Sequence, residues 1–105
     1  MDDKYKPACP NGCQPKFVMF DDRPEYNRWF CKSCGEPVHV TKADVAYRGL
    51  LWLKDLRGED YIRRMPSGAL NCAMSEYFRT EPFHGGEIYE GTLNVARRKL
   101  LYGDR

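Results

Sequence analysis

The sequence predicts a small α+β protein: a three-stranded antiparallel unit at the N-terminus, packed against a C-terminal unit of three or four helices. Three observations carry this. Four of the five cysteines fall in two close pairs, Cys9-Pro-Asn-Gly-Cys13 and Cys31-Lys-Ser-Cys34, separated by 17 residues. The stretch between and just after them is rich in aromatic and β-branched residues, as strands are. From about residue 42 the apolar residues recur at helical spacing instead. The change divides the chain into 1–42 and 43–105, expected to fold as one compact domain. At 105 residues there is room for one modest core, with roughly two thirds of the unfolded surface buried.

Residues 1–8 form a polar lead-in. Residues 16–20, Lys-Phe-Val-Met-Phe, predict a first strand, and Asp21, Asp22 and Pro24 predict the turn after it. Residues 26–30 return as the second strand and deliver Cys31. Gly35 and Pro37 mark another turn, and residues 38–41 a short third strand with alternating faces. Thr41 then caps a helix with Asp44 three residues on. That helix is expected over 42–57, with Gly58 just past its end. Its apolar set (Val45, Ala46, Leu50, Leu51, Trp52, Leu53, Leu56) is wider than one stripe and implies contacts on two sides. Gly49 inside it costs about 1 kcal/mol relative to Ala, and marks a close packing contact.

Residues 59–65 add a helical turn or two before Pro66. Leu70, Ala73, Met74, Tyr77 and Phe78 give a single amphipathic helix over 68–79, with Cys72 beside its apolar face as a small buried hydrophobe. A loop with Pro82, His84, Gly85 and Gly86 follows, then a short extended piece over 87–90. Thr92 is expected to cap a last helix running to about residue 102. Leu93, Ala96 and Leu100 face inward there, and Arg97, Arg98 and Lys99 outward.

Each cysteine pair is tight enough for one backbone turn to aim both thiolates at a single ion. The spacer is long enough for a hairpin that folds the second pair onto the first. Four thiolates so arranged suit a closed tetrahedral site, with one structural Zn2+ held by Cys9, Cys13, Cys31 and Cys34. Catalytic zinc keeps one position open, and four protein ligands leave none. The filled site carries two net negative charges, which Lys16, Arg28 and Lys32 are placed in sequence to offset. His39, on the third strand, is a candidate to support a ligand. Iron in a rubredoxin-like centre, or two disulfides in a secreted domain, are the alternatives for the same cysteines. The odd cysteine count and a polar N-terminus without a signal-peptide pattern point to a reducing, cytoplasmic setting. No apolar run approaches the roughly 20 residues of a membrane span.

The two cysteine pairs, the hairpin between them and the strand after them resemble the four-cysteine zinc-ribbon superfamily over about residues 7–42. In a treble clef the last ligand pair opens a helix, whereas Gly35 and Pro37 here prevent one. The first knuckle is one residue longer than the commoner Cys-x2-Cys, and Gly12 supplies the positive φ that the longer turn needs. Ribbons of transcription-elongation factors carry an acidic pair on the hairpin tip that reaches into the polymerase. Asp21 and Asp22 occupy such a tip here, with Arg23 beside them and a shorter spacer. A small ribbon with an attached helical unit also resembles short regulators, phage-encoded ones among them, that bind host machinery.

The net charge of +2 is too near balance to imply nucleic acid by itself, and the positive excess sits in Arg97, Arg98 and Lys99 near the C-terminus. Tyr26, Trp29, Phe17 and Phe20 on the hairpin, interleaved with Lys16, Arg23 and Arg28, suit base stacking and phosphate contact. One of Phe17 and Phe20, and one of Trp29 and Phe30, are expected in the core. Trp52 marks the wide helical surface open to a partner. The sequence thus predicts a non-enzymatic zinc-binding adaptor or regulator, monomer or homodimer, with a protein partner in transcription or DNA processing. Direct binding of DNA or RNA through the hairpin aromatics and the basic helix is the alternative. A small nuclease or hydrolase using His84 and Glu87 is the weaker one.

Overall fold

The computed structural model describes residues 5–14, 16–79 and 88–103. Three strands, β1 (Phe17–Asp22), β2 (Tyr26–Cys31) and β3 (Pro37–Thr41), form an antiparallel meander in the order β1-β2-β3. Arg23 N–H closes the first turn on the Tyr26 carbonyl at 2.9 Å. Met19 pairs with Trp29 and Asp21 with Arg28, so Phe20 is an extra residue in β1, a bulge that bends the hairpin. Alternation then sorts the side chains. Phe17, Asn27, Trp29, Cys31, Val38 and Val40 are buried, while Val18, Phe20, Arg28, Phe30 and His39 are exposed.

Helix α1 (Lys42–Arg57) follows β3 without a linker. Its N-cap is Thr41, whose Oγ1 accepts the Asp44 N–H at 3.1 Å, and Gly58 ends it with a bond to the Lys54 carbonyl at 2.7 Å. Both ends match the sequence expectation. Val45, Ala46, Gly49, Leu50 and Leu53 are buried, packed between the sheet and the later helices α2 (Glu59–Arg64), α3 (Ser67–Ala73), α4 (Ser75–Phe78) and α5 (Glu90–Tyr102). Gly49 is a close contact, as expected: a Cβ there would sit 3.0 Å from Met74 Sδ and 3.3 Å from the Tyr77 ring.

Several expectations are corrected. The helix expected over 68–79 is two short ones, broken at Met74, although Met74 N–H to Leu70 and Phe78 N–H to Met74 keep the apolar face continuous. Cys72 is exposed, on the far side of α3 from that face. The last helix starts at Glu90 rather than after Thr92. Tyr89 is its N-cap by backbone alone, with an acidic Glu90 in the dipole-favoured first turn. The loop with His84 and most of the expected 87–90 piece lie outside the described residues.

The polar lead-in is also misjudged, because Tyr5 and Pro7 are buried. Tyr5 donates its hydroxyl to Asp55, and the Tyr5 carbonyl accepts the Tyr77 hydroxyl at 3.0 Å. Arg48 Nη1 donates to the Lys6 carbonyl at 3.0 Å. The chain leading to the first cysteine is thereby fastened to α1 and α4. Burial holds the Tyr77 phenol above its ordinary value, so it stays a neutral donor.

At the sheet–helix junction Lys42 is almost fully buried, with its Nζ on Asp22 Oδ1. Beside it in β2, Asn27 is fully buried and its side-chain amide has no hydrogen-bond partner among the described residues. An unpaired buried amide costs about 1–3 kcal/mol, and an apolar residue of similar shape avoids that cost. Asn27→Val is therefore expected to raise stability by about 1 kcal/mol, read as a higher urea midpoint at unchanged m. Gly49→Leu is expected to lose about 1–3 kcal/mol on the same measure, because the added carbons meet Met74 and Tyr77.

Candidate metal centre

Two turns and one strand end build the cluster. In the first turn Gly12 N–H donates to the Cys9 carbonyl at 3.0 Å, and in the second Gly35 N–H donates to the Cys31 carbonyl at 2.8 Å. Both glycines have positive φ, +76° and +75°, with open space where a Cβ would go. Conformation alone, not crowding, selects glycine there. Lys32 N–H donates to the Lys16 carbonyl at 2.8 Å, and this pins the second turn to the entry of β1.

The result is convergence of all four sulfurs. Sγ atoms of Cys9, Cys13, Cys31 and Cys34 lie within 4.8 Å of one another, and Cys9 and Cys34 are 3.5 Å apart. A tetrahedral site with metal–sulfur bonds of about 2.3 Å has sulfur–sulfur edges of about 3.8 Å. A disulfide needs about 2.05 Å and leaves each sulfur with one partner, not three. Four cysteines are thus positioned to hold one metal ion. Cys9 and Cys31 are buried, Cys13 is half-buried and Cys34 is exposed, so the site lies at the sheet margin with one edge open to solvent.

Hydrogen bonds within the cluster push two of its thiols in opposite directions. The Asn11 side chain donates to Cys34 Sγ at 3.4 Å. With a backbone bond at Glu36 it brings the Cys34 thiol down to about 6. Cys13 moves the other way, up to about 12, first because it hydrogen-bonds Cys34 and then because of burial. Crowded sulfurs cannot all ionise without a positive charge between them, and a divalent ion supplies it.

The other sequence-predicted residues do not come together. Trp29 is a core residue, fully buried with its ring 6.1 Å from that of Phe17, and is withdrawn as a contact residue. It shares the Cys31 face of β2, and a period of two counted back from Cys31 would have placed it there. Tyr26 is half-buried with its ring 4.5 Å from His39, which places His39 on the outer face and not beside a ligand. Arg28 lies over the Phe20 ring at 5.4 Å and does not balance the thiolates. Arg23 holds Asp21 at 2.8 Å on the hairpin tip. Trp52 is half-buried against Tyr77 at 5.8 Å.

The basic cluster on α5 is divided in the same way. Arg97 donates to the Met65 carbonyl at 2.6 Å and to Asn94 Oδ1 at 3.2 Å, so it fastens α5 to the chain between α2 and α3. Lys99 lies 5.0 Å from the Tyr47 ring, and Arg98 is exposed. Of the two pairs left open in the sequence, Phe20 and Phe30 are the exposed members, and with Val18, which the sequence did not single out, they form one row. The Phe20 and Phe30 rings stack 4.0 Å apart on the outer face of the sheet.

Chelation tests the centre. In a Trp52→Phe background, metal removal is expected to shift Trp29 emission to the red as residues 7–42 open, while most helical circular dichroism stays. Cys31→Ser should give the same signature without chelator. Emission unchanged by complete metal removal would mean that the cluster does not hold the sheet.

No protein-family model matches the chain, and no curated protein or solved structure is similar to it.

Proposed function

We propose that this chain is a small non-enzymatic adaptor or regulator built on a zinc ribbon, with one structural zinc on Cys9, Cys13, Cys31 and Cys34. Zinc suits the donor set: four thiolates in a tetrahedral array, with no open position for substrate or water. The ribbon presents the outer face of its sheet to a partner. The observation that carries this reading is the exposure there of Val18, Phe20 and Phe30, about 40–50 % each, on a sheet whose other face buries Phe17, Asn27, Trp29, Cys31, Val38 and Val40. Singly exposed apolar residues are ordinary, whereas a contiguous row on one face marks a contact surface. Regulation of transcription or DNA processing is the setting this architecture suits, by its likeness to ribbons that act there.

The test has two arms. Metal analysis of protein purified without added metal is expected to give one zinc per chain. Tagged protein should retain a partner from a lysate of its source cell, and Phe20→Ser with Phe30→Ser should lose it while the melting temperature is kept. Retention of the same partner by the double variant would remove the outer face from the reading. Absence of zinc, with another metal in its place, would remove the ribbon assignment.

A further inference from the structure

We infer that the four-cysteine centre is a peroxide-sensitive thiol switch: oxidation at Cys34 closes a disulfide to Cys9, releases the zinc and leaves the sheet joined. The inference rests on the zinc site proposed above and adds how that site is regulated. The four sulfur-bearing residues are unequally covered. Cys9 is 6 % and Cys31 2 % exposed, Cys13 is half-buried, and of the four only Cys34 is open to solvent. Thiolate oxidation follows access, so a small oxidant meets Cys34 first. Cys9 Sγ lies 3.5 Å from Cys34 Sγ. Closing that gap to a bond of about 2.05 Å is an approach of about 1.5 Å.

The oxidant is a hydroperoxide, and with it the step balances. The Cys34 sulfur attacks the O–O bond and becomes a sulfenic acid, while hydroxide or alkoxide leaves. The Cys9 sulfur then attacks the Cys34 sulfur, the S–S bond forms and hydroxide departs. Each sulfur gives up one electron and the peroxide takes both. Cys13 and Cys31 remain as two ligands, too few for a closed site, and the ion passes to solvent.

The placing of this disulfide makes the change reversible. A bond within either pair, Cys9 to Cys13 or Cys31 to Cys34, would leave the two turns unjoined, whereas Cys9 to Cys34 crosses between them as the ion does. Both ends of that cross-link are also held from outside the cluster. The chain ahead of Cys9 is fastened by Tyr5 on Asp55, by Tyr77 on the Tyr5 carbonyl and by Arg48 on the Lys6 carbonyl. The turn carrying Cys34 is fastened by Lys32 N–H on the Lys16 carbonyl and by Cys31 N–H on the Glu36 carbonyl. None of these bonds uses a sulfur, so the two thiolates stay within reach as the ion departs. The closed loop then restrains the chain in place of the metal, and reduction restores the same four ligands.

The test treats zinc-loaded full-length protein with a modest excess of hydrogen peroxide. Cys72→Ser removes the fifth cysteine, and Trp52→Phe leaves Trp29 as the emitter. One zinc per chain should pass to a colorimetric chelator as two thiols are lost. Tryptic cleavage after Lys32 separates Cys31 from Cys34, and mass spectrometry should then find Cys9 joined to Cys34. Trp29 emission should stay blue, whereas chelation under reductant moves it red, and dithiothreitol with zinc should restore the loaded protein. Cys34→His and Cys13→His have the same donor set, three thiolates and an imidazole, and the first should release zinc about tenfold more slowly. Should either variant fail to load, the cross-link found with all four ligands in place decides. Retention of zinc and thiols under peroxide, a disulfide within one pair, a red shift on oxidation, or equal rates in the two histidine variants would overturn the inference and leave the zinc site standing. Protein purified without zinc would remove the function reading and this inference together.

Discussion

Cys31 is the position on which the rest of the molecule turns. It ends β2, is 2 % exposed, and gives its sulfur to the four-cysteine cluster. Two residues before it on the same side of the strand comes Trp29, and two before that Asn27, both fully buried. A sulfur that must point at the cluster therefore fixes which side of β2 is core. The other side, with Tyr26, Arg28 and Phe30, becomes the outer face without further instruction. A slip of one residue would turn Trp29 outward and Phe30 inward and carry the sulfur off the cluster. An ion held by these four sulfurs would specify register as well as add stability.

A three-stranded sheet with one open face buries too little to stand alone, and the chain meets this from two sides. At the margin, four sulfurs replace an apolar layer. Behind the sheet, α1 starts directly from β3, so Val45, Ala46 and Leu50 join the same core as Trp29 and Val40 with no linker to order. The lead-in closes the arrangement through Tyr5, Asp55, Tyr77 and the Arg48–Lys6 bond. The strand pairing is local, whereas Tyr5 and Tyr77 join residues 72 apart. Local elements and one long-range fastening together bring Cys9 to where Cys31 already points.

What could be seen in the sequence follows the same division. The cysteine spacing, the Thr41–Asp44 cap, the close contact at Gly49 and the bounds of α1 are local, and each has a mechanism that needs no knowledge of the fold. Tyr5 could not be seen, since nothing in a polar lead-in announces a partner 50 or 72 residues away. The choice between Phe17 and Phe20, and between Trp29 and Phe30, was open for want of a phase. Counting in twos from Cys31 supplies it for β2, and the register then carries it to β1. The bulge at Phe20 could not be anticipated, because no glycine or proline marks it. Thr92 misled because a good capping residue inside a helix looks the same in sequence as one at its start.

The basic residues give the sharpest contrast between sequence and surface chemistry. Arg97, Arg98 and Lys99 are adjacent in the chain, yet a helix turns successive residues by about 100°, so three in a row cannot share one face. One reaches a backbone carbonyl, one covers a tyrosine and one meets solvent. Arg23 and Lys42 are likewise spent on Asp21 and Asp22. The formal charge of +2 therefore says little about what any one face of the molecule attracts. What remains on the open face of the sheet is short-ranged: flat rings and one guanidinium, effective only on contact. The inward turn of Cys31 keeps those groups on the opposite side of β2 from the four sulfurs.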